Sequence, residues 1–330
     1  TGAGRREVGG HQVAARAPLR LKRARAGQPA LVDARHAVGR RSEAGKRQRG
    51  PETLSLLNQW QEAPGRPASA VESLVDGWSW MARLADGRCY WQFTLDAAAA
   101  ELPGKAQLPA WCAQRRGESL LVRELFGVAA LQPASLYARS STAILCDEAS
   151  GPDWLRVGDA AMAVDPLSGN GIFQSLSSAL QAPAVINTLL RHPQRGELAR
   201  RFHQQRVTQL FLRFARTGRD FYALERRWAA QPFWQARSHW PDAEPMHAAA
   251  DFSQMRVERA PVIHGDSIEE VEVVVTADQP LGIWHLQGLE LAPLVRALQA
   301  GTAARQVLQR VPTQQQAMFR AWLAIQGLAC

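Results

Sequence analysis

The chain has 330 residues, 46% of them hydrophobic, enough to bury a sizeable core as one large domain or two modest ones. Its net charge of +9 comes from one end: residues 1–50 hold 13 Lys and Arg against 3 Asp and Glu, which leaves 26 against 27 for the remainder, so charge gives no support to a polyanion-binding face there and nucleic acid is not the expected partner. Cys89, Cys112, Cys146 and Cys330 form no CxxC pair and have no histidine at ligand spacing, and no apolar run approaches a membrane span; the composition predicts a soluble cytoplasmic chain without a metal site, a disulfide scaffold or a membrane partner.

Residues 1–29, rich in Gly, Ala and Arg, show neither an alternating nor a 3.6-residue apolar pattern and are set apart as a basic segment outside the packed structure. They can be a disordered tail, an arm for RNA or DNA, or sequence foreign to the fold. Gly2-Ala3-Gly4 does not open a dinucleotide-binding G-x-G-x-x-G, since Glu7 stands at the third glycine position and no strand precedes it. Next, ALVDARHAVGRR, residues 30–41, reads as a short apolar strand ending in Asp33 and followed by Gly39-Arg40.

SAVESLVDGWSWMARLADGRCYWQFTLD, residues 69–96, has strand composition on both sides of Asp86-Gly87, a pair that predicts a two-residue type I′ turn. Period-2 geometry puts Trp78 and Trp80 on one face, where they serve either as core or as one wall of an aromatic-substrate pocket. A helical stretch with Trp111 and Cys112 follows, then the strand-like SLYARSSTAILC and the polar linker DEASGPD.

WLRVGDAAMAVDPLSGNGIFQSL, residues 154–176, is the most informative run. Gly158 lets the backbone turn sharply after a short strand, and Asp159 places a carboxylate just past that strand's carboxyl end, where open α/β sheets bind ligands. Pro166 and the small residues Ser168, Gly169, Asn170 and Gly171 form a loop whose N–H groups can approach a ligand closely. The helix that follows, which Pro183 is expected to kink or interrupt, points its positive end at the same place. One turn thus suits both the hydroxyls of a sugar-like chain and an electron-rich ring.

GDAAMAVDPLSGNGI resembles the second flavin fingerprint of the p-hydroxybenzoate hydroxylase and flavin-dependent halogenase superfamily. The resemblance extends to ALVDARHAVGRR, similar to the V-D-A-[ST]-G-R element of the FAD-dependent hydroxylases, and to DGWSWMARL, similar to the halogenase G-W-x-W-x-I-P with Ala82-Arg83 in place of Ile-Pro. It implies FAD as cofactor, with Asp159 on the ribityl chain and residues 168–171 at the isoalloxazine edge. It implies a Rossmann-like α/β fold of the p-hydroxybenzoate hydroxylase type with an α+β substrate sheet, and a monooxygenase that acts through a flavin hydroperoxide on an aromatic small molecule or peptide, supplied with electrons by a separate flavin reductase. Quinone-cofactor maturases are among the relatives in view. Tryptophan halogenases carry an acid where Ser168 stands, and their catalytic lysine lies in an amino-terminal region that this sequence does not contain; both points favour oxygen insertion over halogenation. No general acid or base is assigned.

The family's opening strand and G-x-G-x-x-G turn are also missing, so the fold is expected to be amino-terminally incomplete. The expected organisation is a partial FAD-binding domain over residues 30–240, with the substrate sheet interleaved at about 69–145, and a small α/β module over 241–330. In that module SIEEVEVVVT and GIWHL read as strands, the rest as helix with Thr302 as a cap, an arrangement that resembles a winged helix. Its basic residues are too scattered for a convincing phosphate-binding surface, and His247, His264 and His285 lack ligand spacing. Two other readings stay open: a truncated, non-catalytic remnant, and a nucleic-acid-binding protein using the basic head.

Overall fold

The computed structural model describes residues 19–22, 29–33, 47–127, 135–152 and 154–328; Gly2 to Gly4, residues 34–41 and Cys330 lie outside these. Strands β1 (Leu19–Lys22) and β2 (Pro29–Asp33) pair antiparallel. After β3 (Arg47–Arg49), the long strands β4 (Thr53–Gln61), β5 (Ala68–Leu74), β6 (Gly77–Arg83) and β7 (Arg88–Asp96) build most of a five-stranded antiparallel sheet. Helices α1 (Leu108–Glu118) and α2 (Leu120–Phe126) follow, the second capped by Ser119, whose hydroxyl accepts from the Val122 N–H at 3.0 Å. Strand β8 (Ser135–Ser140) closes the sheet in the order β5-β6-β7-β4-β8.

Alternation along these strands sorts the side chains into two faces. Leu56, Met81, Trp91, Phe93 and Leu95 pack with Cys112, Val122 and Phe126 of the two helices into one core, in which Trp91 and Phe93 stack at 5.6 Å. The opposite face carries a row in register across all five strands, Val71, Trp80, Gln92, Leu57 and Tyr137. In that row Val71, Trp80 and Tyr137 are exposed.

The β6-β7 connection is not a type I′ turn. Residues 85–87 make a three-residue loop in which Leu84 N–H donates to Arg88 O at 2.8 Å and Gly87 N–H to Leu84 O at 3.0 Å. Gly87 alone has positive φ, +83°, because Asp86 holds Arg88 N–H and Arg88 Nε with its carboxylate at 3.1 and 2.7 Å and needs no left-handed backbone to do so.

SLYARSSTAILC splits between two sheets: β8 and β9 (Ile144–Cys146), the latter antiparallel to β3. Strand β10 (Trp154–Arg156) runs parallel to β2, the α/β signature of the fold, and β11 (Met162–Ala163) pairs with β9. Two long helices, α3 (Gly171–Arg191) and α4 (Gly196–Ala223), then cross this region, followed by the short α5 (Pro232–Ser238). Ile172, Phe173, Leu176 and Leu180 leave an exposed apolar stripe along the first half of α3.

Pro183 does not interrupt α3, which continues past it to Arg191. The proline still removes one N–H donor and crowds the preceding turn. Since it is exposed, Pro183→Ala is expected to stabilise the chain by about 1–3 kcal/mol in urea unfolding; a loss of stability would instead assign the ring a packing role.

The carboxyl-terminal part begins with a hairpin of β12 (Arg256–His264) and β13 (Ser267–Val275). Its turn end docks on α3 and α4: Ile268 is buried with Val185 and Phe202, its N–H donates to Thr188 Oγ1 at 2.7 Å, and Arg195 and Arg201 pair with Glu269 and Glu270. The GIWHL strand shrinks to β14 (His285–Leu286) against β15 (Leu289–Glu290), because Ile283 is drawn into a single bridge with Val274. Helices α6 (Ala292–Gln299), α7 (Ala304–Leu308) and α8 (Thr313–Ile325) complete a second core around Val295, Val307, Phe319 and Leu323. Thr302 is not the cap of α7; that position is Ala303, which makes no side-chain bond.

Candidate functional site

The turn after β10 is built on Gly158, whose φ of +58° starts a 3₁₀ turn, Gly158–Ala160. Its N–H donates to Ser178 Oγ of α3 at 2.8 Å, and the Arg156 carbonyl takes a bond from His203 Nε2 of α4 at 2.8 Å. Burial pushes the His203 pKa down, so the ring is neutral and donates as the Nε2–H tautomer. Asp159 accepts from Gln174 Nε2 at 3.2 Å, and the same amide donates to Met162 O at 2.9 Å. Gln174 Oε1 is buried and has no hydrogen-bond partner among the described residues.

Asp165 organises the loop that follows. Its carboxylate accepts from Leu167 N–H at 2.8 Å and caps the 3₁₀ turn Pro166–Ser168, while its carbonyl accepts from Ser168 Oγ at 2.7 Å. Gly169 then adopts φ +69°, and Asn170 Nδ2 donates back to Ser168 O at 2.6 Å. Helix α3 starts at once with no side-chain cap. A Cβ placed on Gly169 or Gly171 would find no atom within 4 Å, so this side of the loop is open.

Behind the loop, Trp78 Nε1 donates to Tyr222 OH at 3.1 Å, and Tyr222 OH donates to the Asp165 carboxylate, 3.1 and 3.2 Å from its two oxygens. This column joins β6, the end of α4 and the loop. Burial raises the Asp165 pKa against the opposing Leu167 N–H, the positive charge of Arg237 and the Tyr222 hydroxyl. Burial also raises that of Tyr222, whose proton is thereby fixed on the phenol. Arg237 of α5, buried to 2%, donates to Asp96 Oδ2 at 3.2 Å, Phe233 O at 3.1 Å, Glu52 O at 3.0 Å and Thr53 Oγ1 at 2.9 Å.

The structure therefore gathers Gly158, Asp159, Pro166, Ser168, Gly169, Asn170 and Gly171 around the first turns of α3. It separates the two tryptophans: Trp78 is buried with its N–H committed to Tyr222, whereas Trp80 stands in the exposed row. Asp165, Gln174, Tyr222 and Arg237 escape sequence reasoning. The Asp165-Pro166 pair is a turn-initiating signal for the first of them; the others sit on helices with nothing local to mark them. Among the described residues no group of three or more His, Cys, Asp or Glu could hold a metal, and no helix is long and apolar enough to cross a membrane.

No protein-family model and no curated protein matches the chain. Among solved structures it is similar to the peptidyl tryptophan dihydroxylase QhpG, essential for tryptophylquinone cofactor biogenesis, with 64% identity over 91% of this chain and 69% of that one and a TM-score of 0.79. It is also similar to CmlS, a flavin-dependent halogenase, with 14% identity over 85% of this chain and 62% of that one and a TM-score of 0.64; this second likeness is one of fold.

Proposed function

Since the chain belongs to the FAD-dependent monooxygenase and flavin-dependent halogenase superfamily, we propose that it hydroxylates the indole ring of a tryptophan carried in a peptide, with FAD at residues 158–171. The observation that carries the substrate is the 64% identity shared with a peptidyl tryptophan dihydroxylase, of which this chain spans 69%.

The residues present fit the cofactor. Asp159 is an acceptor at a strand's carboxyl end, suited to ribityl hydroxyls. The uncapped amino end of the 21-residue α3 offers N–H groups and a positive dipole end to an electron-rich ring carbonyl. Open space at Gly169 and Gly171 lets a flat ring reach the backbone. Bound and reduced, the flavin supplies oxygen in a form that an electron-rich ring can attack.

The chain's own part is to bind and orient. Asp159 and residues 168–171 hold the flavin, and Ser168, where an acid would mark a tryptophan halogenase, favours hydroxylation. The column of Trp78, Tyr222 and Asp165 keeps the five-stranded sheet fixed to the loop, so that an indole lying on the Trp80 side is presented in one orientation. A separate flavin reductase is the partner that this reading adds.

The test is to incubate the FAD-loaded chain with a flavin reductase, NADH, oxygen and a peptide containing a single tryptophan. A mass gain of one or two oxygen atoms on the indole is expected. Unchanged peptide with a well-folded, flavin-loaded chain would end the proposal, and equal oxidation of free tryptophan would remove its peptide component.

A further inference from the structure

Among the described residues, Arg206 of α4 has no counter-charge. It lines a cleft of about 250 Å³ between α3, α4 and the β12-β13 hairpin, together with Gln181, Phe202, Pro261, Ile263 and Trp284. Arg206 is the one charged residue among those lining it; the others are apolar or carry neutral amides. Its Nε is buried with no hydrogen-bond partner among the described residues, and its guanidinium carbon lies 5.5 Å from the centre of the Phe202 ring. Burial pushes its pKa down, and no carboxylate among the described residues offsets it. Glu269 and Glu270 of the hairpin are engaged elsewhere, with Arg195 and His264 and with Arg201 and Arg259 respectively. Of Glu244 and Asp278, which line a neighbouring cleft with Arg206, neither forms an ion pair with it, and Asp278 meets His247.

The walls of the cleft are set by the fold. Gly282 has φ +79°, and a Cβ there would fall 2.2 Å from Val273 Cγ2, so the loop carrying Leu281 is pressed against β13. Ile283 and Val274 lock it by exchanging hydrogen bonds of 2.8 and 2.9 Å. Trp284 is held edge-on by His264 at 5.1 Å.

A half-buried guanidinium is costly unless it is paired, and a buried donor ordinarily finds an acceptor. The planar fork takes a carboxylate through two parallel bonds, and the aromatic and aliphatic walls suit an uncharged body. The volume lies below the usual range for drug-sized ligands and fits a single ring or short chain. We propose that this cleft is a second binding site, for a small monocarboxylate with an aromatic or branched apolar body, gripped by Arg206. It is distinct from the glycine loop: Arg206 precedes Gly218, the residue of α4 that meets Asp165 and Ser168, by 12 residues, roughly 18 Å of helix.

Calorimetric titration of the FAD-loaded chain with phenylpropionate and with its neutral amide tests this. The acid is expected to bind, and the amide to bind roughly tenfold more weakly or worse, the worth of a charged hydrogen bond. Arg206→Gln should lose the same factor for the acid. Gln181→Glu, at a half-buried position across the cleft, supplies an internal carboxylate, should also weaken the acid, and keeps the test decisive if Arg206→Gln does not fold. Asp159→Ala should leave acid binding unchanged. The proposal is overturned if acid and amide bind alike, if acid binding survives in the folded variants, if Asp159→Ala abolishes it, or if no binding occurs up to the solubility limit.

Discussion

Asp159→Ala is expected to weaken FAD binding by roughly ten- to a hundredfold, because hydrogen bonds to a charged group contribute about 1.5–3 kcal/mol each. The protein should remain folded, since Asp159 is a partly exposed residue of a short turn and Gln174, which loses one acceptor, keeps its bond to Met162 O at 2.9 Å. Asp159→Asn keeps one acceptor oxygen and should fall between wild type and alanine. Titration followed by flavin fluorescence reads the affinity directly. Unchanged binding in a folded Asp159→Ala protein would detach the flavin from this turn and leave the glycine loop as scaffold.

The second large effect is on stability. Arg237→Met should cost about 3–5 kcal/mol in urea unfolding, because it strands the Asp96 carboxylate, 3.2 Å away, together with the Glu52 carbonyl and the Thr53 hydroxyl. It also deletes the positive charge that opposes the burial of Asp165. The sign with pH follows. A carboxyl group with its folded pKa raised contributes stability below its unfolded pKa and loses it as pH rises through the folded value. Without Arg237 the Asp165 pKa rises further, so the variant's deficit should be smallest below about pH 3, where Asp165 is largely protonated in the unfolded chain as well, and should widen toward neutrality. A deficit that stays flat with pH would show that Arg237 acts through the Glu52 and Phe233 carbonyls and the Thr53 hydroxyl alone.

How much of this was legible depends on whether the relevant physics is local. The turn at residues 158–171 was readable because a strand, a carboxylate, a proline and two glycines follow one another without interruption, and each constrains the backbone by itself. Strand β4 was missed: its inward face runs Leu54, Leu56, Asn58, Trp60, and the polar Asn58 breaks the alternation because its partner, buried Arg116, lies on another element. Strand β12 was hidden by Pro261, which is tolerated because a two-stranded ribbon has only edge strands. Pro183 misled in the opposite direction, since packing of Ala182, Ala184 and Val185 carries α3 through a residue that local preference would reject. Tyr222 is 57 residues from Asp165 and 144 from Trp78, and no sequence period connects them.

That column has a thermodynamic implication. If an indole displaces the sheet even slightly, the shift reaches Asp165 through two hydrogen bonds, and Asp165 caps the turn on which the glycine loop rests. Binding at the sheet and binding at the loop then carry a shared coupling free energy, and such coupling is reciprocal: whatever factor the flavin lends to the peptide's affinity, the peptide returns to the flavin's. In a chain wired in this way the two affinities would change by the same factor and in the same direction.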